Sequence, residues 1–188
     1  MTNEQVFLFD HVEEKINESK YFLQAMDLLR AKHVEHVRSL RRPFEGEGRA
    51  FVKMFQYNFS AYLSAHRTTR YYVNRVSGKI QGTAEWRRAI DADMTLEALH
   101  HLRDADIHDE TLNVGMTMSI RQGQFSFSGL HLHERALAAN SRIAKRPEIL
   151  RYLLSKSIID IATEGLKSLE SVVEDGRRRG FLKPQPLP

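Results

Sequence analysis

Three long segments in which apolar residues return every three or four positions constrain this chain more than any other feature of its sequence. They cover about residues 10–40, about residues 48–76, and the stretch from Pro147 to Gly176 or Gly180. Such spacing places the apolar side chains on one face of an α-helix. A helix of roughly 30 residues is about 45 Å long, and such rods bury their apolar faces only by lying side by side. The pattern therefore predicts a mainly α fold, a bundle of long antiparallel helices.

Shorter helices are predicted between these segments. One contains Trp86. The next begins at Asp93 or Thr95, which are both favourable N-cap residues, and it continues to His108. The chain returns to helix at about Glu134.

A change of period at Val114 indicates β structure. From Val114 to Ile120, apolar residues alternate with small or polar residues, which is the two-residue repeat of a half-buried strand. Residues 122–123 offer a turn, and residues 124–128 alternate again. The sequence therefore predicts one β-hairpin at about 113–129, inserted among the helices.

Composition and charge narrow the class of protein. The 188 residues suit a single helical domain, predicted to span 1–182, followed by a disordered Pro-rich tail at 183–188. The chain has no cysteine, which excludes disulfides, cysteine-ligated zinc and a thiol nucleophile. We find neither a signal peptide nor an apolar run long enough to span a membrane, which favours a cytoplasmic protein without membrane contact. The net charge of +4 permits contact with a polyanion but does not require it.

Recognisable chemistry is concentrated in the segment from Arg103 to His108. Successive helical residues are about 100° apart, so His100, Asp104 and His108 share one helix face, whereas Arg103 lies about 140° from His108. Histidines and a carboxylate on one face must be solvated, paired or used in function. A solvated face with an Asp–His pair is the simpler interpretation, and a functional site is the alternative. Walker, dinucleotide-binding, GxSxG and HExxH motifs do not occur, so the common enzymes that carry them have no support.

The same segment resembles the Arg-x(4–6)-His signature of the HEPN superfamily. Arg103 and His108 carry the match, and the order of the surrounding helices is similar. The resemblance implies a helical protein that cleaves RNA without a metal ion, with two motifs meeting at a homodimer interface. It also implies that His108 is the general acid or base at the ribose, and that Arg103 stabilises the negative charge that develops on the phosphate.

One position departs from the usual pattern of that family. Asp104 stands where the superfamily most often has Asn, and its carboxylate places negative charge where a phosphate must bind. We predict Arg103, Asp104 and His108 as the catalytic residues of a metal-independent ribonuclease. The alternative is a non-catalytic helical dimer in which the same face is a protein- or ligand-interaction surface.

Cations and aromatic residues are mixed on the second long helix. His66, Arg67, Arg70 and Tyr71 form a combination that nucleic-acid grooves use, and we predict them as RNA-binding residues. Arg142 is one of several cations elsewhere that could extend this surface. A solvated basic face is the simpler interpretation of each cluster.

Metal binding is a third candidate. His131 and His133 would lie on one face of a strand, and His100, Asp104 and His108 could supply further ligands. These residues lack the spacing of a known metalloenzyme motif, so we predict neither a metal nor a cofactor.

The second long helix also bears on assembly. Its aromatic residues are more numerous than one buried stripe accommodates, and excess aromatic surface is typical of interfaces. They are Phe51, Phe55, Tyr57, Phe59, Tyr62, Tyr71 and Tyr72. These residues predict a second copy of the chain as a partner. The HEPN resemblance adds RNA and, in a bacterial defence or toxin–antitoxin system, an antitoxin-like protein.

Overall fold

A computed structural model describes residues 3–39, 47–78, 80–108, 114–121 and 124–182. Within these ranges the chain is mainly helical, as the sequence predicts. In chain order the elements are α1 (Asn3–Ser39), α2 (Glu47–Ser77), α3 (Ala84–Ala92), α4 (Met94–His108), β1 (Val114–Arg121), β2 (Gln124–Leu132), α5 (Glu134–Ala139), α6 (Ser141–Ala144), α7 (Pro147–Leu154) and α8 (Ile158–Arg178). The predicted tail at 183–188 lies outside the described residues. No helix in the described ranges is both long enough and apolar enough to cross a membrane.

The first two long segments of the sequence pattern become α1 and α2, which pack along each other. The short helix around Trp86 is α3. Asp93 caps α4, because its Oδ1 accepts hydrogen bonds from the backbone N–H groups of Thr95 and Leu96, both at 2.9 Å. A local sequence signal therefore locates the start of the helix that carries the HEPN-like motif.

The third long segment forms two helices rather than the single helix predicted. α7 ends at Leu154, and α8 begins at Ile158. Ser157 sets the new start, since its backbone is extended with ψ of 158° and its Oγ accepts a hydrogen bond from the N–H of Asp160 at 3.2 Å. A side-chain cap of this kind satisfies a backbone N–H group at the start of a helix. A new helix therefore begins here, although the apolar spacing of the sequence continues across the break.

Two clusters of apolar side chains form the core. The larger contains Phe55, Phe59 and Tyr62 of α2, each at most 1% exposed, with residues of α4, α8 and β2 around them. The smaller surrounds Trp86 and joins α1, α2, α3 and α8. α4 contributes Leu99 to the first cluster and is thereby held against α2 and α8.

β1 and β2 pair in antiparallel orientation, with Val114 opposite Leu132. Thr117 pairs with Gly129, and the register shifts between Thr117 and Met118. Gly129 has a φ of +138°, which L side chains rarely adopt, so glycine suits this irregularity. β2 packs against α1, α7 and α8, while the turn predicted at 122–123 lies outside the described residues.

Candidate functional site on helix α4

α4 presents an apolar face to the core and a polar face to its surroundings. Leu99, Leu102 and Ala105 are at most 3% exposed. His100 and Asp104, one helical turn apart, lie on the other side of the helix. The apolar face fixes the helix, and the polar face is therefore held in a defined position.

Asp104 is the centre of a group of charged side chains from three helices. Its Oδ1 lies 2.6 Å from Nη1 of Arg67 in α2, and its Oδ2 lies 3.2 Å from Nη1 of Arg142 in α6. Nε2 of His100 is 3.8 Å from the same Oδ2. The Asp104 side chain is 14% exposed, whereas those of Arg67 and Arg142 are 39% and 50% exposed. We call these four residues the Asp104 cluster, in which guanidinium groups cover the carboxylate and still reach solvent.

The Asp104 cluster has more positive than negative charge. Burial lowers the pKa of His100, and Arg70 and Arg67 lower it further, although the Asp104 carboxylate opposes them. The imidazole is then uncharged at neutral pH. Two guanidinium groups therefore face one carboxylate, and the excess positive charge lies at the more exposed side chains.

A second ion pair extends this surface toward the start of α4. Arg146 contacts Glu97, whose Oε1 is also 3.6 Å from Nε2 of His101. Burial lowers the pKa of His101, and Arg146 lowers it further. Nδ1 of His101 is buried and has no hydrogen-bond partner in the part of the chain that the structure describes. The surface thus combines uncharged imidazoles with arginines, the groups that proton transfer and phosphate binding require.

Arg103, the first residue of the HEPN-like motif, is engaged elsewhere. Its Nη1 lies 3.6 Å from Oδ2 of Asp106, and the two side chains are 19% and 7% exposed. The same Oδ2 accepts a hydrogen bond from the hydroxyl of Ser60 in α2. Arg103 therefore contacts a carboxylate at the junction of α2 and α4. His108 is the last residue of α4, and its side chain lies outside the described residues.

The four predicted RNA-binding residues occupy different environments. His66 is 1% exposed, and its Nε2 lies 3.4 Å from a backbone carbonyl oxygen of α8, so the structure removes it from the predicted RNA-binding surface. Arg70 is 13% exposed and donates a hydrogen bond of 2.9 Å to a backbone carbonyl of α4, which fastens α2 to α4. Arg67 belongs to the Asp104 cluster, and Tyr71 is 57% exposed. Arg67 and Tyr71 are the two that remain accessible.

The two histidines considered for metal binding do not share a strand face. His131 is in β2, and its Nδ1 is 3.2 Å from the carbonyl oxygen of Lys156. His133 follows the strand and occupies the N-cap position of α5. Across the described ranges, no group of three or more His, Asp and Glu side chains is arranged to hold a metal ion.

Three residues of this region were missed by the sequence analysis. Ser60, Glu97 and Asp106 each acquire a role through an interaction that the α2–α4 and α4–α6 packing creates. No motif or period marks Ser60 or Glu97, whereas Asp106 lies inside the Arg103–His108 segment and was given no site role. Asp104, predicted as a catalytic residue, holds two arginines in place, which is a positioning role.

No family model, no curated protein and no solved structure matches this chain. The resemblance to the HEPN superfamily therefore depends on Arg103, His108 and the order of the helices.

Proposed function

We propose that the protein is a HEPN-like helical bundle that acts as a homodimer and binds RNA through phosphate groups at the Asp104 cluster. One observation carries this proposal: Arg67 and Arg142 converge on one carboxylate and keep 39% and 50% of their side chains exposed. A guanidinium group matches the geometry of phosphate oxygens and is always charged at physiological pH. The Asp104 carboxylate fixes both groups before RNA arrives, which reduces the ordering cost of binding.

RNA affinity measured against salt concentration tests the binding proposal. Arg67→Ala and Arg142→Ala should each weaken binding of labelled RNA at every sequence, because phosphate contacts carry no sequence information. Each should also make the dependence of log affinity on log salt shallower by about 1. Fluorescence anisotropy over a salt series measures both quantities.

Arg178→Ala is the matched control, because it removes the same formal charge from an arginine that is 69% exposed on α8. We expect it to keep the wild-type affinity and salt dependence. Equal weakening by all three variants would show that net charge, rather than the Asp104 cluster, attracts the RNA.

Cleavage of the bound RNA is the second candidate function. The uncharged imidazoles of His100 and His101 beside two arginines favour it, since a neutral imidazole can accept a proton from a ribose 2′-OH. His108, from the HEPN-like motif, is the residue that we assign to acid or base catalysis. Because the side chain of Arg103 is only 19% exposed, we assign phosphate contact to the more exposed Arg67 and Arg142 instead.

Cleavage assays separate this candidate from a non-catalytic binding module. RNA should be cut in the presence of EDTA, and DNA should remain intact because it lacks the 2′-OH. His108→Ala should lower the rate on the order of 10²–10⁴-fold without a comparable loss of RNA affinity. Cleavage that survives His108→Ala in ribonuclease-free protein would remove His108 from the mechanism. Binding without any cleavage would leave the non-catalytic module, in which an antitoxin-like protein partner remains a prediction.

A further inference from the structure

Side chains along α2 form a line that is exposed at both ends, half-buried in the middle, and runs through the Asp104 cluster. They follow one another at intervals of three or four residues, which keeps them on one face of the helix for about 33 Å. We call this line the α2 stripe; it consists of Lys53, Tyr57, Ser60, Ser64, Arg67, Tyr71 and Arg75. Arg67, which contacts Asp104, lies within it.

Two tyrosines of the α2 stripe are unusually open for aromatic residues. Tyr57 is 68% exposed and Tyr71 is 57% exposed. The ring of Tyr71 lies edge-on to that of Tyr72, with centroids 5.7 Å apart, and Tyr72 stacks on His11 at 5.4 Å. Tyr71 is therefore held in position while one side of it stays accessible. The two exposed rings are fourteen positions apart in the sequence, which is about 21 Å along the helix.

The charge of the stripe has a single sign. Residues 48–84 contain no Asp or Glu, so the cations of α2 beyond its first residue find carboxylates only on other elements. Two carboxylates of α4 reach the stripe: Asp104 at Arg67, and Asp106 at Ser60. Asp104 is also contacted by a second arginine, Arg142, and Asp106 is contacted by Arg103. The carboxylate beside Arg67 is therefore shared by two arginines, which leaves one positive charge in excess at this point of the stripe.

We propose that the α2 stripe binds single-stranded RNA, with unpaired bases stacked on Tyr57 and Tyr71 and the backbone held by Lys53 and Arg67. This inference rests on the RNA binding proposed above and names the form of RNA. Aromatic rings alternating with cations are the arrangement that binds unpaired nucleotides, because every base offers a π-face and every linkage a negative charge. A duplex conceals its base faces, so it would use the cations and not the tyrosines.

A second copy of the chain fits the α2 stripe less well. Pairing the stripe with itself would bring Lys and Arg of one copy against Lys and Arg of the other, and like charges across an interface are unfavourable. The stripe itself offers no carboxylate to compensate. Charge complementarity therefore favours a polyanion.

Affinity for two forms of one RNA tests this inference. The probe is a labelled, unstructured strand of about 20 nucleotides, long enough to cross the stripe, used alone and annealed to its complement. Tyr57→Leu and Tyr71→Leu should each weaken binding of the single strand roughly 5- to 100-fold, since stacking on each ring is lost. Binding of the duplex should change little. Tyr57→Phe and Tyr71→Phe keep the rings and should keep the affinity.

Tyr21→Leu is the matched control, since Tyr21 is 66% exposed on α1 and lies off the stripe. It should leave both affinities at the wild-type value. Suppose that Arg67→Ala and Arg142→Ala weaken binding of the single strand, whereas Tyr57→Leu and Tyr71→Leu leave its affinity unchanged. The stacking inference is then wrong, and the proposed function stands. If those variants retain RNA affinity but dissociate a dimer in light scattering, the stripe is a protein interface and the inference is also wrong. If wild-type protein binds no RNA at low salt, both proposals fall together.

Discussion

His66 shows at the scale of one residue how burial decides what a side chain can do. The sequence groups it with Arg67, Arg70 and Tyr71, since all four lie within one and a half turns of the same helix. In the folded chain its ring is among the core residues and 5.8 Å from that of Tyr62. Removal from water lowers the pKa of His66 to about 4, although the Gly165 carbonyl oxygen opposes this. The imidazole is therefore uncharged in the native state at neutral pH.

This buried histidine predicts a pH dependence of stability. The pKa is lower in the folded state, about 4, than the ordinary value of 6.5 expected in the unfolded chain. Below pH 6.5 the unfolded state binds the extra proton, so the free energy of unfolding should fall as pH drops toward 4 and level off below it. The contribution of His66 to this fall is about 3 kcal/mol.

Denaturant unfolding of wild type and His66→Gln from pH 7.5 to pH 4 measures this contribution. The pKa values of His33, His100 and His101 are also lowered, chiefly by burial, and add to the fall in both proteins. The informative quantity is therefore the difference in slope between the two proteins. A His66→Gln protein whose stability falls as steeply as that of wild type would contradict the assignment.

At the scale of elements, α8 shows why two glycines with the same sequence signal have different roles. Gly180 follows the end of the helix and has a φ of +75°, the left-handed conformation typical of a helix C-terminus. Gly176 lies inside the helix and beneath the indole of Trp86. A Cβ added there would be 2.5 Å from Cζ2 of Trp86. Trp86 cannot easily move, since its Nε1 donates a hydrogen bond of 3.0 Å to the carbonyl oxygen of Val172.

Gly176→Ala should therefore destabilise the protein, although alanine favours a helix by up to about 1 kcal/mol over glycine. Overpacking against a rigid ring should outweigh that gain and lower the free energy of unfolding by roughly 1–3 kcal/mol. Ser171→Ala, at an exposed position of the same helix, is the control and should be nearly neutral. Urea midpoints compare the variants. A Gly176→Ala protein as stable as Ser171→Ala would show that Trp86 and α8 can separate without cost.

At the scale of the whole molecule, five of the seven aromatic residues used to predict a homodimer lie in the core or, like Phe51 and Tyr72, pack against it. Phe55, Phe59 and Tyr62 are at most 1% exposed, which leaves Tyr57 and Tyr71 as the open rings of α2. The homodimer stays a prediction that the HEPN resemblance supports. It no longer depends on a surplus of aromatic surface.

Light scattering tests the assembly directly. We expect a mass of about twice the 21.8 kDa of one chain at micromolar concentration. The mass should persist in Tyr57→Leu and Tyr71→Leu, because the α2 stripe is assigned to RNA. A single-chain mass over the whole concentration range would exclude a site built from two motifs and would leave the Asp104 cluster as a site of one chain.

Features that depend on residues close together in the chain could be predicted from the amino-acid pattern. The spacing of apolar residues predicted α1, α2 and the helical class, and two candidate caps, Asp93 and Thr95, bracketed the start of α4. These features follow from residues a few positions apart, so a linear pattern contains them. The break at Ser157 was missed because the apolar spacing continues across it.

Which charged side chains of different helices meet could not be predicted in this way. Arg67, Asp104 and Arg142 belong to three helices, and each alone has the pattern of a solvated helix surface. Their meeting depends on how α2, α4 and α6 pack, and packing is set by many weak contacts between residues distant in the chain. The same packing placed His66 in the core, because the surroundings of a side chain depend on which helices cover it.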